Sequence, residues 1–271
     1  MRELQAIIIE EMGVKPQIDP GEEVARRVQF LVDYARTTHT NGFVLGISGG
    51  TDSTAAGRLA QLAVEELGDG ANFVGVRLPY GVQHDEADAQ AALDFVNARM
   101  PVTINIQESV GGMERAYRHG LGVEITDFNK GNVKARARMI AQYAIAGDHN
   151  LLVIGTDHAG ESVTGFFTKF GDGAADILPL FGLNKRQVRQ VAKELGAPEF
   201  LWNKVPTADL LDDRPMLSDE AELGLSYDHI DDYLEGKEVP EAAAAKIESD
   251  FLRTRHKRTG PVTIFDTWWR D

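Results

Sequence analysis

The residues best suited to chemistry are the six from Ser48 to Ser53, which read Ser-Gly-Gly-Thr-Asp-Ser. Adjacent glycines let the backbone approach a ligand closely, and consecutive amides can then converge on an anion at the start of a helix. A phosphate chain is the natural ligand of such a loop. Because Asp52 adds a carboxylate to an anion-binding loop, the pattern also predicts a divalent cation that bridges this carboxylate and phosphate oxygens.

A simpler interpretation of the same loop stays open: the glycines only allow tight packing, and Asp52 or Ser53 caps the following helix. Two features favour phosphate binding. Hydroxyl groups lie on both sides of the glycines, at Ser48, Thr51 and Ser53. The run also differs from the common nucleotide fingerprints, because it lacks the Gly-Lys-Ser/Thr ending of the Walker loop and the third glycine of the dinucleotide pattern.

A strand and a helix must hold this loop in place. Residues 43–47 form a short apolar run with β-forming character, and 53–67 follow a helical spacing until Gly68. The same alternation recurs, with strands predicted at 72–78, 102–106 and 151–154 and helices at 85–98, 108–118 and 132–146. It is typical of an α/β fold, a Rossmann-like parallel sheet flanked by helices, whose ligands lie beyond the carboxyl ends of the strands.

Other segments lie outside this alternation. Helices are predicted at 2–12, 21–38, 184–195, 227–234 and 241–252. The first two are expected to pack on the sheet or on a partner subunit. Residues 126–132 are rich in turn formers and are interpreted as a turn before the next helix. The polar, proline-interrupted segment from Lys204 to Ser218 is interpreted as a lid.

The composition narrows the class of protein. The 271 residues are interpreted as one domain, 1–271, and with 43% hydrophobic residues but no long apolar run they predict no membrane span. The absence of cysteine excludes disulfides, thiolate metal sites and a cysteine nucleophile. Because the chain start also lacks the order of a secretory signal, we expect a cytoplasmic protein. A net charge of −14 argues against a broad nucleic-acid surface.

Since the chain is acidic, its local concentrations of Lys and Arg are informative. Residues 126–138 carry four cations and no carboxylate after Asp127. Lys185 and Arg186 begin a predicted helix, where cations oppose the helix dipole and need a nearby anion. The run 253–258 is the densest positive patch of the chain. Each set is either a solvated face or an anion-binding surface, and the residue pattern leaves both open.

Two further segments carry candidate site residues. At the end of the last predicted strand, Thr156 and Glu161 are expected to face the loop 48–53 across the sheet edge. Glu161 can equally be a helix N-terminal acid, and His158 suits a hydrogen-bonded structural role as well as catalysis. The segment 165–173 is interpreted as a flexible glycine loop with three phenylalanines, which suit core packing or stacking on a flat heteroaromatic ligand.

Nine motifs follow one another along essentially the whole chain. They are SGGTDS at 48–53, RLPYGVQ at 77–83, TDFNKGNVKAR at 126–136, GTDHAGE at 155–161, TGFFTKFGDG at 164–173, LNKRQ at 183–187, PTADL at 206–210, YDHIDDYLEG at 227–236 and RHKR at 255–258. Together they resemble the ammonia-dependent NAD synthetases of the ATP pyrophosphatase superfamily. The first loop alone is shared with GMP synthetase, argininosuccinate synthetase and tRNA lysidine synthetase. One departure is Arg255, where the family commonly has Glu.

The resemblance implies a fold and a reaction. The fold is that of the ATP pyrophosphatases, which cleave ATP between the α- and β-phosphates. The reaction converts nicotinic acid adenine dinucleotide (deamido-NAD), ATP and ammonia into NAD, AMP and pyrophosphate through an acyl-adenylate, with Mg²⁺ as cofactor. A chain without cysteine suits this chemistry, because in-line phosphoryl transfer needs positioning and charge neutralisation rather than a covalent nucleophile.

The resemblance also implies the site residues. ATP is bound by Gly46, Ile47, Ser48, Gly49, Gly50, Thr51, Asp52, Ser53, Arg77, Thr156, Lys185 and Thr207. Deamido-NAD is bound by Phe128, Asn132, Arg136, Lys169, Asp176, His256 and Lys257. The metal ligands are Asp52 and Glu161, since Mg²⁺ commonly takes one or two carboxylates. The catalytic residues are Asp52, Glu161, Lys185 and Asp172, the last through activation of ammonia.

The implied partners are small molecules and a second copy of the chain. The family is a homodimer with the dinucleotide site at the subunit interface, without nucleic acid or membrane. The sequence has no glutaminase region, so ammonia is expected to be free or delivered by a separate protein. Two alternatives are a tRNA-modifying ATP pyrophosphatase of the lysidine type and a sensor that holds ATP without turnover. The acidic composition disfavours RNA, and the crowded acids and bases at 156–185 disfavour a sensor.

Overall fold

The parallel sheet predicted from the alternation is present in the computed structural model, which describes residues 2–82, 86–207, 210–214 and 217–270. Its strands are β1 (Gly42–Gly46), β2 (Asn72–Arg77), β3 (Met100–Thr103) and β4 (Leu152–Val153). They pair in parallel in the order β3-β2-β1-β4. Phe43 of the central β1 pairs with Phe73 on one side and with Leu152 on the other. The prediction of a Rossmann-like α/β fold is confirmed.

The described residues also form helices along the whole chain. They are α1 (Glu3–Met12), α2 (Pro20–Thr38), α3 (Thr51–Leu67), α4 (Glu86–Val96), α5 (Gln107–Leu121), α6 (Asp127–His149), α7 (Ala159–Thr164), α8 (Lys185–Glu194), α9 (Glu199–Trp202), α10 (Asp219–Leu223), α11 (Tyr227–Leu234), α12 (Glu241–Arg253) and α13 (Arg255–Arg258). None of these helices within the described ranges combines the length and hydropathy that a bilayer crossing requires.

Helices cover both faces of the sheet because successive side chains of a strand point to opposite sides. Phe43 and Leu45 of β1 pack with α2, α3 and α8 on one face, and Val44 packs with α5 and α6 on the other. The two N-terminal helices pack within the chain, since α2 joins the first of these clusters and Ile8 of α1 shares another cluster with Ile230 of α11. Both faces of β1 are therefore fixed, and so is the loop that follows it.

The start of α6 differs from the prediction. The helix begins at Asp127, so the turn predicted for 126–132 is wrong. Thr126 caps the helix, its Oγ1 accepting a hydrogen bond from Asn129 N at 3.4 Å, and Asp127 places an acid where the helix dipole favours it. The turn-forming residues after Thr126 thus belong to the first turns of a helix.

Element ends shift elsewhere by small amounts. α3 begins at Thr51 rather than at 53, and β3 begins at Met100 rather than at 102. β4 is short because Ile154 continues only as an isolated bridge to Ile177. α11 spans the predicted range, Tyr227–Leu234. The predicted order of elements is retained.

Candidate active site

A cavity of about 490 Å³ opens where β1, β2 and β4 end. Its walls come from the loop after β1, the segments that follow β2 and β4, helix α6 and the start of α8. The carboxyl ends of the parallel strands meet at this edge, which is where ligands of α/β sheets bind. This cavity is the candidate active site.

The loop after β1 is held in shape by a glycine and by hydroxyl groups. Gly49 has a φ of +88°, and a Cβ there would lie 2.8 Å from the amide nitrogen of Ala89, so a side chain does not fit. The Ser48 and Ser53 hydroxyls lie 3.1 Å apart, and Ser48 Oγ accepts a hydrogen bond from Gly50 N at 3.2 Å. These contacts within the chain fix the shape of the loop.

Asp52 and Ser53, treated as helix caps in the simpler interpretation, have other partners. α3 begins at Thr51, and Gly50 is its N-cap residue. Ser53 Oγ donates to Gly50 O at 3.1 Å. The Asp52 carboxylate accepts two hydrogen bonds from Lys185 Nζ, at 2.9 and 2.7 Å. The capping interpretation does not describe this loop.

Lys185 is a buried cation at the first position of α8. Only 1% of the residue is exposed. Burial alone lowers the pKa of its ammonium group, but Asp52 and Glu161 hold that pKa above its ordinary value. Burial likewise raises the pKa of Asp52, and Lys185 outweighs this effect and keeps that pKa below its usual range. The pair is therefore ionised and places a fixed positive charge at the cavity wall.

Asp231 of α11 supplies the anion that the start of α8 requires. Its carboxylate accepts hydrogen bonds from the backbone amides of Lys185 at 3.0 Å and Arg186 at 2.8 Å. The Arg186 guanidinium donates to Asp232 at 3.1 Å and to Glu235 at 3.0 Å. The prediction that these two cations need nearby anions is confirmed, and α11 fixes the position of Lys185.

Asp52, His158 and Glu161 converge beside this lysine. One ligand atom from each lies within 4.8 Å of the others. His158 Nε2 is 3.8 Å from Asp52 Oδ1 and 3.8 Å from Glu161 Oε1. Burial and the charge of Asp52 raise the pKa of Glu161 well above its ordinary value. Two neighbouring carboxylates fit a hard divalent cation, whose charge would offset their mutual repulsion.

Most residues predicted to bind ATP line this cavity. They are Gly46, Ile47, Ser48, Gly50, Thr51, Asp52, Ser53, Thr156, Lys185 and Thr207, and the predicted catalytic residues Glu161 and Asp172 lie with them. Gly49 lies behind the loop, against Ala89 of α4. Arg77 is buried at the end of β2 and donates to Glu86 at 2.7 Å. A nucleotide contact of Gly49 or Arg77 stays a prediction.

Residues predicted to bind deamido-NAD come together from distant parts of the chain. Arg136 of α6 donates to Lys169 O at 3.1 Å. The Lys169 ammonium in turn donates to His256 O of α13, and Lys257 Nζ donates to Gly165 O at 2.8 Å. α6, the segment 165–173 and α13 thus form one surface, although the sequence separates them widely.

The remaining members of that predicted set are also on or near α6. Asn132 Oδ1 accepts a hydrogen bond from Thr168 Oγ1 at 2.7 Å, and Phe128 is 66% exposed on the same helix. The Asp176 carboxylate accepts from Val153 N of β4 at 2.8 Å. Their contact with a ligand stays a prediction.

The segment predicted as a flexible glycine loop, 165–173, is a series of turns with internal contacts. Thr168 N donates to Asp172 Oδ1 at 3.0 Å. A Cβ on Gly173 would lie 2.4 Å from the Phe167 ring, so this ring packs directly on the glycine. Phe170 is 56% exposed. Core packing accounts for Phe166, which packs against the cluster that contains Ile8 and Ile230, whereas Phe170 is open to a ligand or a partner.

A polar stripe on α6 was missed as part of the cavity. Lys134, Arg138 and Gln142 all line it. Gln142 Oε1 accepts a hydrogen bond from Gly46 N at 2.8 Å, and Arg138 Nε donates to Leu78 O at 3.0 Å. Residues four apart lie on one face of a helix. The spacing of Lys134 and Arg138 was therefore the available signal.

The described part of the predicted lid is tied to α6. Lys134 Nζ donates to Leu210 O at 2.8 Å and to Asp212 Oδ1 at 2.5 Å, and Lys130 Nζ lies 2.9 Å from the other Asp212 oxygen. The Asp127 carboxylate accepts from Asp212 N at 2.9 Å. Residues 208, 209, 215 and 216 of the predicted lid lie outside the described residues.

Replacing Lys134 by methionine is expected to weaken the contact between α6 and the segment 210–214. Methionine fills the buried space but cannot donate, so Leu210 O and Asp212 lose a charged partner, worth about 1.5–3 kcal/mol. We expect KM for ATP to rise about tenfold, with kcat changed less than about twofold. Limited proteolysis between 204 and 218 should accelerate. A Lys246→Met variant is the control and should keep the wild-type KM and cleavage rate. The same result for Lys134→Met would show that the contact of Lys134 with Leu210 and Asp212 does not hold this segment.

The sheet order, the glycine and hydroxyl loop after β1 and the adjoining carboxylates define an α/β protein of the ATP pyrophosphatase fold. The sequence model described as NAD synthase matches residues 23–261. The chain belongs to the NAD synthase family.

Individual relatives are similar over nearly the whole chain. The NH(3)-dependent NAD(+) synthetase of Deinococcus radiodurans is 61% identical over 270 residues, covering 98% of this chain and 94% of that one. The crystal structure of NAD+ synthetase from Burkholderia pseudomallei is 50% identical, with a TM-score of 0.81 over 94% of this chain and 95% of that one. The NMN synthetase from Francisella tularensis is 37% identical, with a TM-score of 0.82 over 92% and 100%.

Proposed function

We propose that this protein is an ammonia-dependent NAD synthetase, a ligase that forms a C–N bond. It converts deamido-NAD, ATP and ammonia into NAD, AMP and pyrophosphate. The observation that carries the proposal is the convergence of Asp52, Glu161 and Lys185 on the loop 48–53 in a member of the NAD synthase family. This cluster supplies the charges that a triphosphate requires.

The first half-reaction activates the nicotinate carboxyl group. A carboxylate is a poor electrophile until one of its oxygens belongs to a good leaving group, and transfer of AMP achieves this. The loop 48–53 orients the triphosphate, and Lys185 stabilises the negative charge that develops on the transferred phosphorus. Its position is fixed because Asp52 and Asp231 bind its ammonium group and its backbone amide.

We propose that Asp52 and Glu161 hold Mg²⁺. Carboxylate oxygens are preferred ligands of this ion, and Mg²⁺ proteins commonly use one or two of them together with phosphate oxygens. The ion would neutralise charge on the phosphates. Both carboxylates line the cavity at the end of β1, which supports the assignment.

The second half-reaction needs ammonia in its neutral form. Asp172 lines the cavity, and burial raises the pKa of its carboxyl group. A buried carboxylate with a raised pKa is a better base towards ammonium than an exposed one. The neighbouring Asp157 is also affected, since burial and the charge of Asp172 raise its pKa to about 8. We assign to Asp172 the acceptance of a proton from ammonium.

The surface formed by α6, the segment 165–173 and α13 is the proposed deamido-NAD site. It combines the exposed Phe128 and Phe170 rings with the cations of Arg136, Lys169 and Lys257. Cations match the two phosphates of a dinucleotide, and an aromatic ring can stack on adenine or nicotinate. The surface adjoins the cavity through Asp172.

We propose a homodimer that uses the outer faces of α5 and α6. Apolar side chains on these helices are exposed, with Met113 at 51%, Leu121 at 64% and Ile140 at 63%. An apolar face of this kind is typical of a protein interface. Sedimentation should therefore give a dimer for the wild type and a monomer for the Met113→Glu/Ile140→Glu variant. A Phe200→Glu variant, which changes an equally exposed ring on α9, should stay dimeric; a double variant that also stays dimeric would place the interface elsewhere.

The proposed reaction is tested by incubating the protein with ATP, Mg²⁺, ammonium and deamido-NAD. Chromatography should detect NAD, AMP and pyrophosphate in equal amounts, and none when any substrate is left out. A parallel reaction with nicotinic acid mononucleotide tests the mononucleotide specificity named for the Francisella tularensis relative. Absence of NAD would overturn the proposal. A faster reaction with the mononucleotide would show that the mononucleotide, rather than deamido-NAD, is the preferred substrate.

A further inference from the structure

His158 has a fixed protonation pattern that its backbone contact imposes. The imidazole is completely buried at the N-cap of α7, and its Nδ1 accepts a hydrogen bond from Gly160 N at 3.1 Å. A ring nitrogen that accepts a hydrogen bond carries no proton. In a neutral imidazole the proton is therefore on Nε2, which becomes a donor.

The donor atom is aimed at the two carboxylates of the cluster. Among the described residues, Nε2 is buried without a hydrogen-bond partner. It lies 3.8 Å from Asp52 Oδ1 and 3.8 Å from Glu161 Oε1, which is too long for a hydrogen bond but needs only a small movement of either carboxylate. A buried donor of this kind needs a partner at some stage of the reaction cycle.

We propose that His158 is a positioning residue whose Nε2–H donates to Asp52 and Glu161, and that it orients both carboxylates towards the cation they hold. The inference rests on the proposed function, because that function assigns the cation to these two acids. Outer donors of this type orient the groups that bind a metal and commonly change metal affinity 10–100-fold.

The same geometry argues against direct ligation of the cation by His158. Ligation through Nε2 would move the proton to Nδ1, where it would face the Gly160 N–H instead of accepting from it. The close approach also depends on glycine, since a Cβ on residue 160 would lie 3.0 Å from Cε1 of the ring.

Two substitutions separate positioning from a purely structural role. Asparagine places a polar group near the position of Nδ1, so His158→Asn keeps the helix cap and loses the distant donor. Glutamine places an amide N–H near the position of Nε2, so His158→Gln keeps that donor and loses the cap. A His149→Asn variant, at an exposed histidine of α6, is the control.

The measurement is Mn²⁺ binding to the enzyme without ATP, followed by EPR titration beside a thermal melt. We expect His158→Asn to weaken Mn²⁺ binding 10–100-fold with little change in Tm, and His158→Gln to bind Mn²⁺ within about threefold of wild type at a lower Tm. Wild-type affinity in His158→Asn would overturn the proposal. So would directly bonded imidazole nitrogen in the pulsed EPR spectrum of bound Mn²⁺.

The proton position is tested separately by ¹⁵N NMR of the metal-free enzyme. We expect a protonated Nε2 and an unprotonated Nδ1 for His158, and the reverse pattern would overturn the proposal. Neither measurement uses ATP or deamido-NAD. Failure of this inference is therefore distinguishable from failure of the proposed reaction.

Discussion

Replacing Asp52 by asparagine should lower kcat for NAD formation about 10³-fold. The change removes one of the two charges proposed to hold the cation, and it also removes the ionised partner of Lys185. The fold should persist, because Glu161 and Asp219 remain near the Lys185 ammonium as alternative anions. Steady-state kinetics with ATP and deamido-NAD, together with a circular dichroism melt, measure both quantities.

The matched control for this variant is Asp94→Asn, which neutralises an exposed acid on α4. It should keep the wild-type rate. If Asp52→Asn retained most of its rate, the cation would be held by other residues, and the assignment of the loop would be wrong.

Replacing Lys185 by methionine should lower turnover as strongly as Asp52→Asn does. In contrast, it should strengthen the binding of the metal ion. Methionine keeps all but the last atom of the side-chain length, so most of the buried position stays filled while the ammonium is lost. We expect kcat to fall about 10³-fold or more because the transferred phosphoryl group loses its fixed positive partner. Without ATP, however, Mn²⁺ should bind more tightly, because Asp52 is released from its ion pair.

Lys185→Met is informative because its kcat is expected to fall while its affinity for Mn²⁺ is expected to rise. A simple loss of folding would weaken both activity and metal binding. Lys193→Met, at an exposed position of the same helix, should change neither. Weaker Mn²⁺ binding in Lys185→Met with an unchanged Tm would contradict the competition between the ammonium and the cation for Asp52.

The loop and its strand were predictable because their signals are local. The apolar run at 43–47 and the glycines after it lie next to each other in the sequence, and the structure places the loop at the carboxyl end of β1. α11 was also predictable, since its apolar residues lie within Tyr227–Leu234 and its N-cap residue, Ser226, directly precedes it. Local periodicity and turn chemistry suffice for such elements.

Other features depend on residues that are distant in sequence. Asp231 was visible only as part of an acidic helix, yet it binds the backbone amides at the start of α8. Lys134 was visible as a cation on an amphipathic helix, yet it is buried against the segment 210–214. Spacing showed that Lys134 and Arg138 share a face, but only packing decides what that face contacts.

At the N-terminal end of α6, the local sequence pattern gave the wrong secondary structure. Asn129, Gly131 and Asp127 are turn formers in isolation, and their pattern predicted a turn. The same residues tolerate a helix when Thr126 caps it, and α5 and the sheet pack against its later turns. Tertiary packing therefore outweighs local preference at this boundary.

The central claim is that the loop 48–53 holds ATP so that AMP is transferred to the nicotinate carboxyl group. It is tested most directly with deamido-NAD labelled with ¹⁸O in both carboxylate oxygens, followed by mass spectrometry of the products. The account predicts one ¹⁸O atom in AMP and none in pyrophosphate, because the carboxylate oxygen bonded to phosphorus leaves with AMP. Either ADP with ¹⁸O-labelled orthophosphate, or unlabelled AMP with ¹⁸O-labelled pyrophosphate, would contradict it.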